Sequence, residues 1–258
     1  MIDFTRIEQA VLATQPYEWA SVGDLFSPAG SAALASSFPR DHFKTVKGYD
    51  GEKGYEYEAR ALIGMGAGVP SRPEALSDAW RLLAADLLSP AYRAAVSRLV
   101  GRDLGSLPIE VNVFHYGARA WLGPHVDLRD KLITHVLYFN ESWDENDGGC
   151  LNILRSSDMS DAVASVAPVV GNSVLLVRSE KSWHAVSPVA DRCHRSRLSM
   201  TVTFYRPGSV STMWPPGDTT PLHTYNGVTD AEAARGAQGL WKRLRLRVAS
   251  RPESTRAR

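Results

Sequence analysis

The sequence has few cysteines, almost no net charge and no long apolar run. Its two cysteines, Cys150 and Cys193, are too few for a disulfide framework of the kind that stabilises small secreted domains. A formal net charge of +1 provides no global field that would attract nucleic acid or a membrane surface. No apolar stretch approaches the length of about 18 residues that a transmembrane helix needs, and the first residues do not resemble a secretory signal. We therefore expect a globular, cytoplasmic protein that does not enter a membrane.

The first 107 residues contain the strongest helical patterns. Within residues 72–101, apolar side chains recur at helical spacing at Leu76, Trp80, Leu83 and Leu87. Pro90 falls inside this stretch and predicts a break between two helices. Residues 45–73 are rich in Gly, Lys, Glu and Tyr, and this composition predicts an irregular or weakly stranded segment that lies over a site.

Beyond residue 107 the pattern changes to short runs of β-branched and aromatic residues separated by turn signals, which indicate a sandwich or barrel. We expect a mainly β fold with flanking helices packed on one side. The sequence predicts an N-terminal helical and loop region (1–107), a β core (108–206) and a C-terminal extension that ends in a basic helix (207–258). All three parts would belong to one structural domain.

A candidate metal site begins in the stretch GPHVDLRD. His125 and Asp127 are two residues apart, so on a strand both side chains would point to one face as a chelating pair. A third ligand is available from a later β-rich segment, SWHAVSPV, which contains His184. Two histidines and one carboxylate with open coordination positions form the facial triad of non-haem Fe(II) oxygenases. Zinc is the competing metal for this residue set.

An arginine-bearing strand pattern favours iron. In RSRLSMTVTFYRP, alternate residues from position 195 to 201 would lie on one face: Arg195, Arg197, Ser199 and Thr201. A guanidinium inside a barrel needs a partner, and a carboxylate is its best bidentate partner. A diacid that chelates iron through a 2-oxo acid end would present its distal carboxylate to such an arginine.

Four sequence blocks in the required order resemble the Fe(II)/2-oxoglutarate-dependent dioxygenase superfamily, in its prolyl-hydroxylase-like branch. They are NVFHYGARAWLGPHVD, LITHVLYFNESWDENDGGCLNIL, SVLLVRSEKSWHAVSPV and RLSMTVTFY. The resemblance covers roughly residues 108–206 and implies a double-stranded β-helix, or jelly roll. It also implies Fe(II), 2-oxoglutarate as co-substrate and O₂, with His125, Asp127 and His184 as the iron ligands.

The resemblance also implies residues for the co-substrate. Arg197 matches the basic residue that binds the far carboxylate of 2-oxoglutarate, and Thr201 lies four positions further on the same strand face. Tyr138 matches a tyrosine that reaches the co-substrate, and Tyr116 is similar to an earlier tyrosine although its spacing is one residue short. The interval from His184 to Arg197 is longer than usual in the family, so Arg195 remains the alternative.

The activity that the resemblance implies is hydroxylation of an unactivated C–H bond, with release of succinate and CO₂. We expect a small-molecule substrate, such as an amino-acid-like compound or biosynthetic intermediate, and we name Asn112, Arg119 and Arg129 as candidate substrate contacts. The alternatives are hydroxylation of a protein or peptide side chain and a non-enzymatic jelly-roll binding module. A nucleic acid substrate is not expected, because only the C-terminal tail is markedly basic. The sequence leaves the oligomeric state open.

Overall fold

The computed structural model describes residues 1–50 and 53–225, and within them the chain forms four α-helices and eleven β-strands. The helices are α1 (Phe4–Glu8), α2 (Pro28–Ser36), α3 (Asp78–Leu88) and α4 (Pro90–Val100). The strands are β1 (Trp19–Val22), β2 (Lys44–Asp50), β3 (Lys53–Ile63), β4 (Ile109–Tyr116), β5 (Trp121–His125), β6 (Lys131–Tyr138), β7 (Leu151–Leu154), β8 (Ala162–Val166), β9 (Ser173–Val177), β10 (His184–Val186) and β11 (Arg197–Tyr205). No helix among the described residues is both long enough and apolar enough to cross a membrane.

Local sequence signals define the two longest helices. The Ser77 hydroxyl accepts a hydrogen bond from the backbone N–H of Trp80 and caps α3, and Ser89 caps α4 in the same way. Pro90 occupies the first turn of α4, where its missing N–H costs nothing, and Gly101 ends that helix with a left-handed φ of 65°. The predicted break at Pro90 is therefore confirmed.

The strands form one antiparallel sheet that curls into a half-barrel. Their order is β1-β9-β6-β11-β4-β3-β5-β10-β7-β8, and β2 pairs with the outer edge of β3. The long strand β3 joins the strands β1-β9-β6-β11-β4 to the strands β5-β10-β7-β8. Its residues Glu58–Ile63 pair with β4, while Tyr55 and Glu56 pair with β5. The predicted mainly β jelly-roll fold with flanking helices is confirmed.

Strand alternation divides the interior into two layers. On β11, Leu198, Met200, Val202 and Phe204 pack with the helices in one hydrophobic cluster. The alternate residues of β11, from Arg197 to Tyr205, line a cavity inside the barrel. On β4 the same alternation turns Val111 and Val113 towards the helices and the even-numbered residues towards the cavity. The helices thus cover one face of the sheet, and the other face is left to form a site.

The segment 45–73, predicted to be irregular or weakly stranded, contains two regular strands. Lys44–Asp50 and Lys53–Ile63 form the antiparallel strands β2 and β3, which belong to the main sheet. The alternation of aromatic and charged residues in YEYEAR is a strand signal that the glycine-rich and lysine-rich composition around it obscured. The N-terminal part of the chain therefore supplies strands as well as helices. The division of the chain at residues 107 and 206 stays a prediction, and the expected basic helix after residue 229 lies outside the described residues.

Candidate metal centre and cofactor cavity

Two neighbouring strands bring the three predicted metal ligands together. His125 ends β5 and His184 begins β10, and the two residues are direct partners in the antiparallel pair. Asp127 lies two residues beyond the end of β5. One ligand atom from each residue lies within 4.8 Å of the other two, and all three residues are buried. Among the described residues this is the one group of histidine, cysteine and acidic side chains with such geometry.

Backbone contacts orient both imidazole rings. Nδ1 of His125 lies 2.9 Å from the carbonyl oxygen of Gly123, and Nδ1 of His184 lies 2.9 Å from that of Ser182. Because a carbonyl oxygen can only accept, each Nδ1 must donate, which makes Nε2 the nitrogen that carries the lone pair. A hydrogen bond of this kind fixes the tautomer of a metal-binding histidine. The donor set therefore fits a divalent metal ion.

Asp127 is held as a carboxylate by its neighbours. Lys131 donates to one oxygen at 2.7 Å and Thr134 donates to the other at 2.8 Å. Burial alone would raise the pKa of Asp127, but the Lys131 ammonium keeps that pKa well below its ordinary value. The group is therefore charged and acceptor-only, as a metal ligand must be.

A cavity of about 130 Å³ adjoins the three residues. Its walls come from β4, β6 and β11, from Tyr57 on β3 and from Met213 in the chain after the last strand.

The segment that contains Met213 is held over the barrel by side-chain contacts. The Trp214 indole donates to Asn112 Oδ1 at 2.7 Å. Lys44 also binds this segment, through the carbonyl oxygen of Met213 and the carboxylate of Asp218, both at 2.5 Å. This segment therefore closes one side of the cavity.

Arg197 forms part of the cavity wall at the start of β11 and is only 2% exposed. Its Nε donates to the carbonyl oxygen of Gly149 at 2.7 Å and its Nη1 to the Ser199 hydroxyl at 2.6 Å. The sharp backbone at Gly148 and Gly149 allows this contact: both residues have a φ of 67°, and a Cβ on Gly148 would collide with the carbonyl of Pro188. Gly148 and Gly149 thus allow the backbone turn that places the Gly149 carbonyl oxygen within hydrogen-bond distance of Arg197.

Two tyrosines surround the Arg197 guanidinium. Its central carbon lies 4.8 Å from the ring centroid of Tyr116 and 5.4 Å from that of Tyr138. Burial raises the pKa of Tyr116 to about 12, although the arginine charge opposes the shift, so its hydroxyl stays protonated. The buried hydroxyl of Tyr138 has no hydrogen-bond partner among the described residues. Tyr138 is fully buried and is not among the residues that line the cavity, so its contact with the co-substrate stays a prediction.

The other predicted site residues separate into two groups. Thr201 and Asn112 line the cavity. Arg195 precedes β11 and lies outside the cavity, where it binds the hydroxyl and carbonyl of Ser142. The Arg119 and Arg129 side chains are more than 80% exposed, face Asp191 and Glu180, and do not line the cavity. Substrate contact by those two arginines stays a prediction that this placement does not support.

Sequence reasoning did not name several cavity residues: Tyr57, Glu110, Thr134, Thr203, Tyr205 and Met213. Thr203 and Tyr205 continue the alternation that begins at Arg197, and Glu110 continues the alternation of Asn112 and Phe114, so strand periodicity could have found these three. Tyr57 and Met213 reach the cavity from distant parts of the chain, and no local pattern indicates their position.

Comparison with known proteins agrees with this geometry. Residues 111–205 match the family model of the 2OG-Fe(II) oxygenase superfamily. No curated protein matches the chain significantly.

Solved structures share the fold. A prolyl hydroxylase from Trichoplax adhaerens, in complex with a hypoxia inducible factor peptide fragment, is 17% identical over 72% of this chain and 83% of its own, with a TM-score of 0.50. A prolyl 4-hydroxylase from Phytophthora capsici is 16% identical over 95% of this chain and 76% of its own, also at 0.50. A Pseudomonas putida prolyl-4-hydroxylase is 24% identical over 73% of this chain and 92% of its own, with a TM-score of 0.49.

Enzymes of this class use Fe(II), 2-oxoglutarate and O₂, and the buried histidines and carboxylate of this chain have the chemistry to bind the iron. Residues 111–205 therefore match the oxygenase domain of the 2OG-Fe(II) superfamily, and the buried triad lies within that matched region.

Proposed function

We propose that this protein is a 2-oxoglutarate-dependent dioxygenase that hydroxylates an unactivated C–H bond of a small molecule. The observation that carries the proposal is the size and closure of the cavity beside the triad. Its volume of about 130 Å³ lies below the roughly 300–1,000 Å³ typical of sites for drug-sized ligands. The same space must also accept the co-substrate, so a compact substrate fits best.

The iron ligands in this proposal are His125, Asp127 and His184. Both imidazoles have their Nδ1 bound to backbone, and Asp127 is ionised, so the three donors are ready without a change of protonation. A divalent ion bound by three protein ligands on one side keeps its other positions open for co-substrate and O₂. Lys131 and Thr134 hold the Asp127 carboxylate in position.

The co-substrate would bind along β11. Arg197 is the only arginine among the described residues that lines the cavity, and it would receive the far carboxylate of 2-oxoglutarate. The Tyr138 hydroxyl, which has no partner among the described residues, would donate to the same carboxylate. Tyr116 and Thr201 complete the polar wall between this end of the cavity and the triad.

When bound, iron and 2-oxoglutarate supply the oxidising chemistry, in which O₂ is consumed, the co-substrate becomes succinate and CO₂, and the substrate gains a hydroxyl. The protein's own residues orient both molecules and exclude water. The β3 residue Tyr57 and the covering residue Met213 enclose the cavity from two sides. This enclosure favours a small molecule over a polypeptide, which needs an open groove.

The first experiment is an anaerobic titration of the protein with Fe(II) and 2-oxoglutarate, monitored by the visible charge-transfer band of the chelate. Wild-type protein should develop the band and His184→Ala should not, whereas the exposed His194→Ala should behave as wild type. Absence of the band from wild-type protein would contradict the assigned metal and co-substrate sites.

The substrate class is tested by succinate release in the presence of a panel of small amino acids and related acids, with proline-containing peptides as the comparison. We expect stimulation by members of the small-molecule panel. Stimulation by the peptides alone would overturn the proposed substrate class and leave the iron and co-substrate assignments intact.

A further inference from the structure

One carboxylate in the cavity has no role in holding iron or co-substrate. Glu110, near the start of β4, is 1% exposed and lines the cavity. Its Oε2 accepts a hydrogen bond from the Tyr205 hydroxyl at 3.2 Å. Its Oε1 is buried and has no hydrogen-bond partner among the described residues.

Strand register places Glu110 far from the arginine end of the cavity. Tyr116 is the partner of Arg197 on β11, and Glu110 is the partner of Thr203. Six residues separate Glu110 from Tyr116, which corresponds to roughly 20 Å along a strand. A five-carbon diacid anchored at Arg197 is far too short to reach Glu110.

The same register brings Glu110 close to the metal centre, at the end of the cavity opposite Arg197. Thr203 pairs with Glu110 on β4 and with Thr134 on β6, so Glu110 and Thr134 are two strands apart on the cavity face, roughly 10 Å between Cα atoms. Thr134 in turn donates to the Asp127 carboxylate. A small molecule bound at Glu110 would therefore lie beside the triad.

No cation of the described chain neutralises Glu110. Lys131 is committed to Asp127, and Arg197 is bound at the opposite end of the cavity. No ion pair in the described part of the protein involves Glu110. A buried carboxylate with an unmade hydrogen bond is unfavourable, so its presence in a functional cavity calls for a partner from outside the chain.

We infer that Glu110 binds an ammonium group of the substrate, so that the enzyme acts on a small primary or secondary amine. This inference rests on the proposed function and specifies its substrate class. An ammonium supplies both features that Glu110 lacks, a donor for Oε1 and a compensating positive charge. A neutral hydroxyl supplies only the donor, and an anionic group at this position would be repelled.

The test uses matched pairs of compounds that differ only in the charged group. L-amino acids are compared with the α-hydroxy acids of the same side chain, and butylamine with butanol. Binding to the anaerobic complex of enzyme, Fe(II) and 2-oxoglutarate is measured by ligand-detected NMR, and succinate release is measured in air. Wild-type enzyme should bind the amine member of at least one pair roughly tenfold more tightly than its neutral counterpart.

The variant Glu110→Gln keeps the shape of the side chain and removes its charge. We expect it to lose the preference for amines while its charge-transfer band with Fe(II) and 2-oxoglutarate stays as in wild type. Glu141→Gln, at an exposed position, is the matched control and should keep the preference. The wild-type comparison of amine with neutral compound stands even if Glu110→Gln does not fold.

Equal binding of amine and neutral members by wild-type enzyme, or no binding of any amine, would overturn the inference. An amine preference that persists in folded Glu110→Gln would do the same. Failure of the wild-type protein to form the charge-transfer band is a different result, because it would contradict the proposed iron and co-substrate sites instead.

Discussion

His184 lies directly opposite His125 across the β10–β5 pair, and the two ring centroids are 4.3 Å apart. The two residues are separated by 58 others along the chain, so only strand pairing brings them together. Both rings are oriented by backbone carbonyls two residues earlier, at Gly123 and Ser182. The metal centre is thus a product of sheet register combined with a local hydrogen bond at each histidine.

Loss of one of these histidines should abolish tight iron binding. We expect His184→Ala to weaken Fe(II) affinity by more than the roughly 10–100-fold that changes to supporting residues cause, because a direct ligand is removed. Isothermal titration of the anaerobic protein with Fe(II) measures this loss. His194→Ala removes an exposed histidine and should leave the affinity unchanged. Wild-type affinity in His184→Ala would exclude this residue as a ligand.

Arg197 and Arg195 should differ sharply in their effect on 2-oxoglutarate. Arg197→Lys keeps the charge but loses the two-pronged donor geometry, so we expect the dissociation constant for 2-oxoglutarate to rise by about tenfold or more. Arg195→Lys should leave it unchanged, since Arg195 lies outside the cavity and binds Ser142. Anaerobic titration of each variant with 2-oxoglutarate gives both values. The opposite ranking would transfer the co-substrate role to Arg195.

The variant Tyr138→Phe should weaken binding of 2-oxoglutarate without lowering the stability of the protein. Because the Tyr138 hydroxyl is buried without a partner among the described residues, its removal should not lower the free energy of unfolding of the ligand-free protein. We expect affinity for 2-oxoglutarate to fall by about tenfold, since a hydrogen bond to a carboxylate is lost.

Tyr92→Phe is the matched control for that variant. The Tyr92 hydroxyl lies 2.9 Å from Nδ1 of His135 on the helix side of the sheet. Its removal should cost about 1 kcal/mol of stability and leave 2-oxoglutarate affinity as it was. Urea unfolding measures the first effect and titration the second. A Tyr138→Phe protein with unchanged co-substrate affinity would remove this tyrosine from the site.

His135 should make stability depend on pH. It lies between Tyr92 and Ser173, and burial lowers its pKa from the ordinary 6.5 to about 3. The unfolded chain therefore takes up a proton below pH 6.5 that the folded protein refuses, so stability falls as the pH drops from about 6.5 towards 3. The slope is about 1.4 kcal/mol per pH unit, which gives a loss of about 2 kcal/mol at pH 5.

The measurement is urea unfolding at several pH values for wild type and His135→Gln. The variant is less stable at pH 7, because hydrogen bonds to Tyr92 and Ser173 are altered, but its stability should decline less on acidification. Burial also lowers the pKa of His115, which is present in both proteins, so the difference between the two curves isolates His135. Parallel curves would show that His135 does not bind a proton on unfolding.

Local patterns predicted a large share of this fold. The helical spacing from Leu76 to Leu87 and the proline at the start of α4 depend on neighbours in sequence, and they predicted the two helices that α3 and α4 form. The alternating pattern of β11 separates Leu198 and Met200 from Arg197 and Ser199 because successive strand residues point to opposite faces. For strands β2 and β3 the sequence predicted only an irregular or weakly stranded segment, because the glycines and charges there resemble a loop and pairing with β4 and β5 decides the position of β3.

The sequence by itself determined which chemistry is possible: two histidines, one carboxylate and an arginine on a strand form the residue set of an iron and 2-oxo acid site. The tertiary structure alone decided which arginine faces the cavity, which segments close it and that Glu110 shares it with Arg197. The physical reason is the range of the forces involved. Caps and strand alternation act over a few residues, whereas the cavity forms where strands distant in sequence meet in register.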